Sequence, residues 1–160
     1  MAIIKPNNNT ISAITALPAA ISTGKVLQTL QMTEGTQASS TSTSYIDTSL
    51  TLAITPSSSS SKILVFASFT GGNNTSGAGG RYTIERGSTD LSGGNGFNNN
   101  NDNCSGYHHN NVMMSYLDSP STTSATTYTV QMKADSSGSV FINTNSTVGV
   151  LILQEIAAWL

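Results

Sequence analysis

Residues able to do chemistry are few in this chain, and most lie in one stretch, residues 92–111, which reads SGGNGFNNNNDNCSGYHHNN. His108 and His109 are potential metal ligands. Neighbouring side chains on an extended chain point to opposite faces, so the two would not share one ion. Three copies of one histidine meeting on a trimer axis would be needed instead. Asp102, set among Asn98–Asn101 and Asn103, offers oxygens to a hard cation, but one carboxylate makes a weak calcium site and the EF-hand spacing is absent. No metal is therefore expected. Cys104 is the only cysteine, which rules out an intrachain disulfide and reads as a bystander thiol. The eight acidic residues are dispersed, with no carboxylate pair that spacing would bring together. A nucleophile elbow, a phosphate-binding loop and a dinucleotide fingerprint are all missing. No catalytic residue and no cofactor are expected; a glycan-degrading enzyme would need acids drawn together from distant strands.

The same stretch has the composition of a sugar-reading surface. Phe97, Tyr107 and His108 would stack on the apolar faces of sugar rings, while Asn99, Asn100 and Asp102 would hydrogen-bond their hydroxyls. The competing reading is a solvated surface loop of low complexity.

The elements that must carry this stretch follow from periodicity. Val26, Leu30 and Met32 share one face of a first run; Leu50, Leu52 and Ile54 alternate with Thr51, Ala53 and Thr55 and stop at Pro56. After the Ser57–Ser61 turn, KILVFASFT is apolar on both faces and belongs at the centre of a sheet. Tyr82 and Ile84 alternate towards a hairpin turn at Gly87–Asp90. Val112, Met114 and Tyr116 form another alternating run, as do Tyr128, Val130, Met132 and Ala134. Val140–Ile142 and the apolar run from Val148 to Ile156 complete the set. About eight strands with Gly/Ser turns and no convincing helix predict an all-β, antiparallel, jelly-roll-like sandwich over residues 24–160. Residues 1–23 are broken by Pro6, Asn7–Asn9 and Pro18 and read as an extended attachment arm. Ile3, Ile4, Ile11, Ile14, Leu17 and Ile21 would seat in pockets of a partner. The arm also lacks the long apolar core of a signal peptide, and no apolar run reaches the length of a membrane span.

Composition narrows the partners. Only 9% of the 160 residues are charged, and the net charge is −2. The six basic residues are scattered, so no field draws nucleic acid. Roughly three residues in ten are Ser or Thr, a polarity that suits strands with Thr and turns with Ser, Asn and Gly.

Five segments resemble a domain common in fibre-like and other virion structural proteins of tailed bacteriophages, marine ones especially. They are GKVLQ at 24–28, TSTSYIDTSLTLAITPSSSSSKILV at 41–65, ERGSTDL at 85–91, SYLDSPSTTSATTYTVQMKADSSGSVFIN at 115–143 and LILQEIA at 151–157. The resemblance covers most of residues 24–157 in order, omits the 92–111 stretch and carries no catalytic motif. It implies a virion surface protein made in the bacterial host cytoplasm. A homotrimer is the expected assembly, which would also cover edge strands. Other virion proteins, of capsid or tail, would be its attachment partners, with host-surface carbohydrate a further ligand. The absence of shaft repeats favours a head fibre, capsid decoration or short tail appendage. A carbohydrate-binding module outside any virion is the alternative.

Overall fold

The computed structural model describes residues 25–75, 79–101, 106, 108–136 and 138–158. The expected attachment arm, with Ile3, Ile4, Ile11, Ile14, Leu17 and Ile21, lies outside these, as do Asp102, Cys104 and Tyr107. Eleven strands follow one another: β1 (Val26–Glu34), β2 (Ala38–Ser40), β3 (Ile46–Ile54), β4 (Lys62–Asn73), β5 (Gly79–Arg86), β6 (Thr89–Asp90), β7 (Asn98–Asn101), β8 (His108–Asp118), β9 (Thr126–Ala134), β10 (Val140–Ile142) and β11 (Gly149–Ile156). The one helical element among the described residues is a single 3-10 turn, Thr144–Ser146.

The strands form two antiparallel sheets. The first runs β8–β4–β11–β1, with β10 and β2 prolonging β11 and β1. The second runs β3–β9–β5, and β5 carries β7 and β6 along its far edge. Early strands pair with late ones throughout: β1 with β11, β3 with β9, β4 with β8 and β5 with β7. A long hairpin rolled over on itself gives this pattern, and it is the jelly roll.

The alternation read from the sequence fixes which residues face inwards. Leu50, Ile54, Ile63, Val65, Ala67, Ile84, Val112, Met114, Val130, Met132, Leu151 and Leu153 fill the space between the sheets. KILVFASFT is central, with β8 on one side and β11 on the other. The closing run is central as well, although Val148 is 59% exposed and precedes the strand. Val26 departs from the expected face. A register shift between Val26 and Gln28 turns it outwards, leaving Leu30 and Met32 against the core. The stretch expected to lack regular structure contains β7 and the start of β8. Four asparagines in a row disfavour a strand by propensity, but the backbone of β5 supplies the ladder.

Three buried polar residues tie separate parts of the fold together. Tyr82 crosses the core from β5, and its hydroxyl accepts the Gly72 N–H (2.7 Å) and donates to the Phe141 carbonyl (2.8 Å). Asn143 adopts a left-handed conformation (φ 55°), and its amide donates to the carbonyls of Glu34 and Thr36. It thereby joins the break between β10 and β11 to the break between β1 and β2. Glu155, fully buried on β11, accepts from Gln28 Nε2 (2.7 Å), Ser57 N–H (2.8 Å) and Ser57 Oγ (2.6 Å).

Burial alone would raise the Glu155 carboxyl, but the hydrogen bonds from Ser57 and Gln28 outweigh it and hold the group at about 2. A carboxylate depressed in the folded state stabilises above its unfolded value, near 4.5, and that stabilisation is lost as pH falls towards about 2. The contribution is about 3 kcal/mol at neutral pH. Urea unfolding between neutral pH and about pH 3 should therefore show a smaller acid-induced loss in Glu155→Gln than in the wild type. Equal losses in both would contradict this role.

Candidate functional site

The sandwich has two unlike ends. Lys25 enters β1 beside the exit of β11, where the Ala157 N–H donates to the Lys25 carbonyl (2.9 Å). Both ends of the described chain therefore lie together, and the attachment of residues 1–24 is at this near end. An open groove of about 400 Å³ lies there too, lined by Arg86, Ser88, Thr89, Pro120, Thr122 and Thr126 among others. Its one cation is committed to the fold, because Arg86 Nη1 pairs with Asp118 (2.7 Å), which also accepts from the Tyr128 hydroxyl (2.7 Å).

The far end is where β1 and β11 break. The connection from β10 to β11 turns through three non-glycine residues with positive φ: Asn143 (55°), Asn145 (55°) and Ser146 (60°). Left-handed backbone of this kind is uncommon outside glycine and gathers at functional sites; asparagine tolerates it best. The turn forms one wall of a cleft of about 450 Å³ on the outer face of the first sheet, lined by Gln37, His109, Phe141, Thr144 and Asn145.

The floor of the cleft is set by the ladder. Phe141 and His109 both pair with Gly72, one from each side. A Cβ on Gly72 would lie 2.6 Å from the Phe141 ring and collide with the His108 carbonyl, so the glycine leaves room for the two rings to meet above the strand. Their centroids are 5.3 Å apart, and His109 Nδ1 lies 2.8 Å from Thr144 Oγ1. Phe141 is almost wholly covered, which leaves the exposed His109 ring as the accessible plane. Gln37 and Asn145 present exposed amides beside it. Among the described residues, no carboxylate, Lys or Arg lines the cleft. A planar ring edged by amides and a hydroxyl, without charge, suits a neutral ligand rich in hydroxyl groups.

The described residues among those expected to read sugars occupy a different place. Phe97 packs against the core, its ring 5.3 Å from that of Tyr116, and its N–H donates to the Tyr82 carbonyl (2.8 Å). Asn100 is buried; its carbonyl accepts from Asn73 Nδ2 (3.3 Å), and its side-chain oxygen accepts from Asn110 Nδ2. Asn99 is exposed on β7 opposite Arg81, and His108 is half-buried on β8 opposite Asn73. The structure thus divides Phe97, Asn99, Asn100 and His108 between the core, the second sheet and the first. It brings His109 instead to Phe141, Thr144, Asn145 and Gln37, none of which the sequence reading singled out. The signal for them was Asn143-Thr144-Asn145-Ser146, a short polar run between two apolar strands with two residues tolerant of positive φ. Among the described residues, no three His, Cys, Asp or Glu side chains converge as metal ligands.

Two substitutions separate the cleft from the Asn-rich strand. Asn145→Gly keeps the left-handed backbone but removes the amide, so binding of a neutral glycan should fall about tenfold or more with stability retained. Phe97→Ala should lower unfolding stability by about 2 kcal/mol and leave glycan affinity unchanged. Glycan-array binding and urea unfolding of the two variants check this; lost affinity in Phe97→Ala alone would return the site to β7.

No protein-family model and no curated protein matches this chain.

Proposed function

We propose that this chain is a structural protein of the outer surface of a tailed-phage particle. In this reading it is a homo-oligomeric appendage, trimeric in its simplest form, such as a head fibre, capsid decoration or short tail fibre. Residues 1–23 anchor it to capsid or tail proteins, and the far end meets glycans of the host surface. The observation that carries the proposal is the opposition of the two ends. The attachment point of residues 1–24 lies beside Ala157 at the near end, and the uncharged cleft with its left-handed turn lies at the other. A domain tethered at one end and recessed at the other suits an appendage that is held by its base and works at its tip. The jelly roll, an architecture used by viral capsid and lectin domains, agrees with this assignment at the level of fold analogy. So do the five segments that resemble phage virion proteins.

The cleft also favours a second reading, a carbohydrate-binding module outside any virion, because a neutral sugar site needs no particle. The two are separated by location. Gold-labelled antibody against this protein should decorate purified particles under the electron microscope. Label over the head would assign a decoration or head fibre, and label at the tail would assign the adsorption apparatus. Particles that carry neither label nor peptides of this chain by mass spectrometry would overturn the virion reading.

A further inference from the structure

The two outer faces of the sandwich have opposite character. On the second sheet the outward positions carry Asp47, Thr51, Arg81, Glu85, Gln131 and Lys133. These groups bond one another or near neighbours: Gln131 Nε2 to Asp47 (2.8 Å), Thr51 Oγ1 to Thr129 Oγ1 (2.9 Å), and Arg81 Nε to Asp135 (2.7 Å). That face is finished against water. On the first sheet the outward positions of β8, β4 and β11 are mostly apolar, with Ser115, Ser68 and Gln154 among them, and those of β1 form a neutral polar edge of Thr29, Gln31 and Thr33. Leu117 lies opposite Leu64, Phe66 opposite Ile152, and Ser68 between Met113 and Val150. Met113 is 58% and Leu117 52% exposed. Leu64, Phe66, Val150 and Ile152 are covered only in part, although they sit on the two central strands. Lys62, at the near end, is the one charged residue of β4 and turns to Ser119 (2.6 Å).

We infer that this apolar face is the contact by which copies of the chain associate. The inference rests on the appendage reading for its oligomeric expectation and adds the surface that makes it. Two features point to a second copy as the occupant. First, the face is neutral, so placing it against itself sets no like charges together, whereas a charged partner would find nothing to pair with. Second, its size fits. Four strands about 4.8 Å apart and about eight residues long span about 500 Å² in projection, with the polar row of β1 forming the rim of the patch. Two such faces in contact would cover about 1,000 Å² in total, the size at which specific interfaces begin. Sheets packed face to face use this geometry, and a symmetric contact needs only one self-complementary patch. The cleft lies beyond the apolar rows, at the far end of the same face, and stays open at the tip.

Light scattering coupled to size exclusion tests the inference on the full chain at about 100 μM, where a micromolar complex is nearly saturated. The wild type should run as a dimer, or as a larger assembly that contains this two-fold contact. Met113→Lys combined with Leu117→Lys should convert it to a monomer that keeps the β-sheet circular dichroism spectrum of the wild type, since both side chains already face outwards. Ser49→Lys, on the finished face, should leave the oligomer intact. A monomeric wild type would overturn the inference, as would an oligomer that survives the double variant. A wild-type monomer that associates only after deletion of residues 1–24 would assign the face to that segment instead. None of these results bears on whether antibody labels the particle, so the two readings fail separately.

Discussion

The Tyr82 hydroxyl accepts the Gly72 N–H and donates to the Phe141 carbonyl, so one side chain of the second sheet ends inside the ladder of the first. Burial pushes the phenol well above its ordinary range, and it stays a neutral donor and acceptor at every physiological pH. Much follows from this contact. A Cβ on Gly71 would approach the Tyr82 hydroxyl to 2.7 Å, so β4 must carry a glycine where the tyrosine arrives. Gly72, next along, gives the opposite face the space that Phe141 and His109 occupy. Adjacent glycines of β4 thus serve the two faces, Gly71 the tyrosine in the core and Gly72 the rings outside it. Loss of the hydroxyl would remove both of these buried hydrogen bonds, a cost of about 1–3 kcal/mol.

Beyond that contact, polar groups divide the molecule by function. Glu155, Asp118 and Arg86 sit towards the near end and close the sandwich there. Asn143 closes the far end from within, by bridging the paired breaks in the first sheet. The second sheet faces water with bonded charges and hydroxyls, and the first offers an apolar surface with a cleft beyond it.

The sequence revealed the architecture where alternation was strong. Tyr128, Val130, Met132 and Ala134 point inwards as their spacing required, and the doubly apolar KILVFASFT is central. The site was less legible, for physical reasons. Phe97 resembled an exposed platform because its neighbours are polar, yet the backbone bond to Tyr82 turns it onto Tyr116. Asn98–Asn101 form a strand because β5 needs a partner, a tertiary demand that overrides propensity. His109, Phe141 and Gln37 lie far apart in the chain and meet only through pairing with β4 and β2. The left-handed turn at Asn143–Ser146 was the local trace of that meeting.

In the proposed reading the domain is held at one end and works at the other. The most direct test is an electron cryo-microscopy map of the purified particle, with the domain fitted by its unequal ends. The account predicts that Lys25 and Ala157 face the particle, the Asn143–Ser146 turn points away, and the apolar faces of neighbouring copies meet. A domain seated with the cleft against the particle and the chain ends outermost would contradict it.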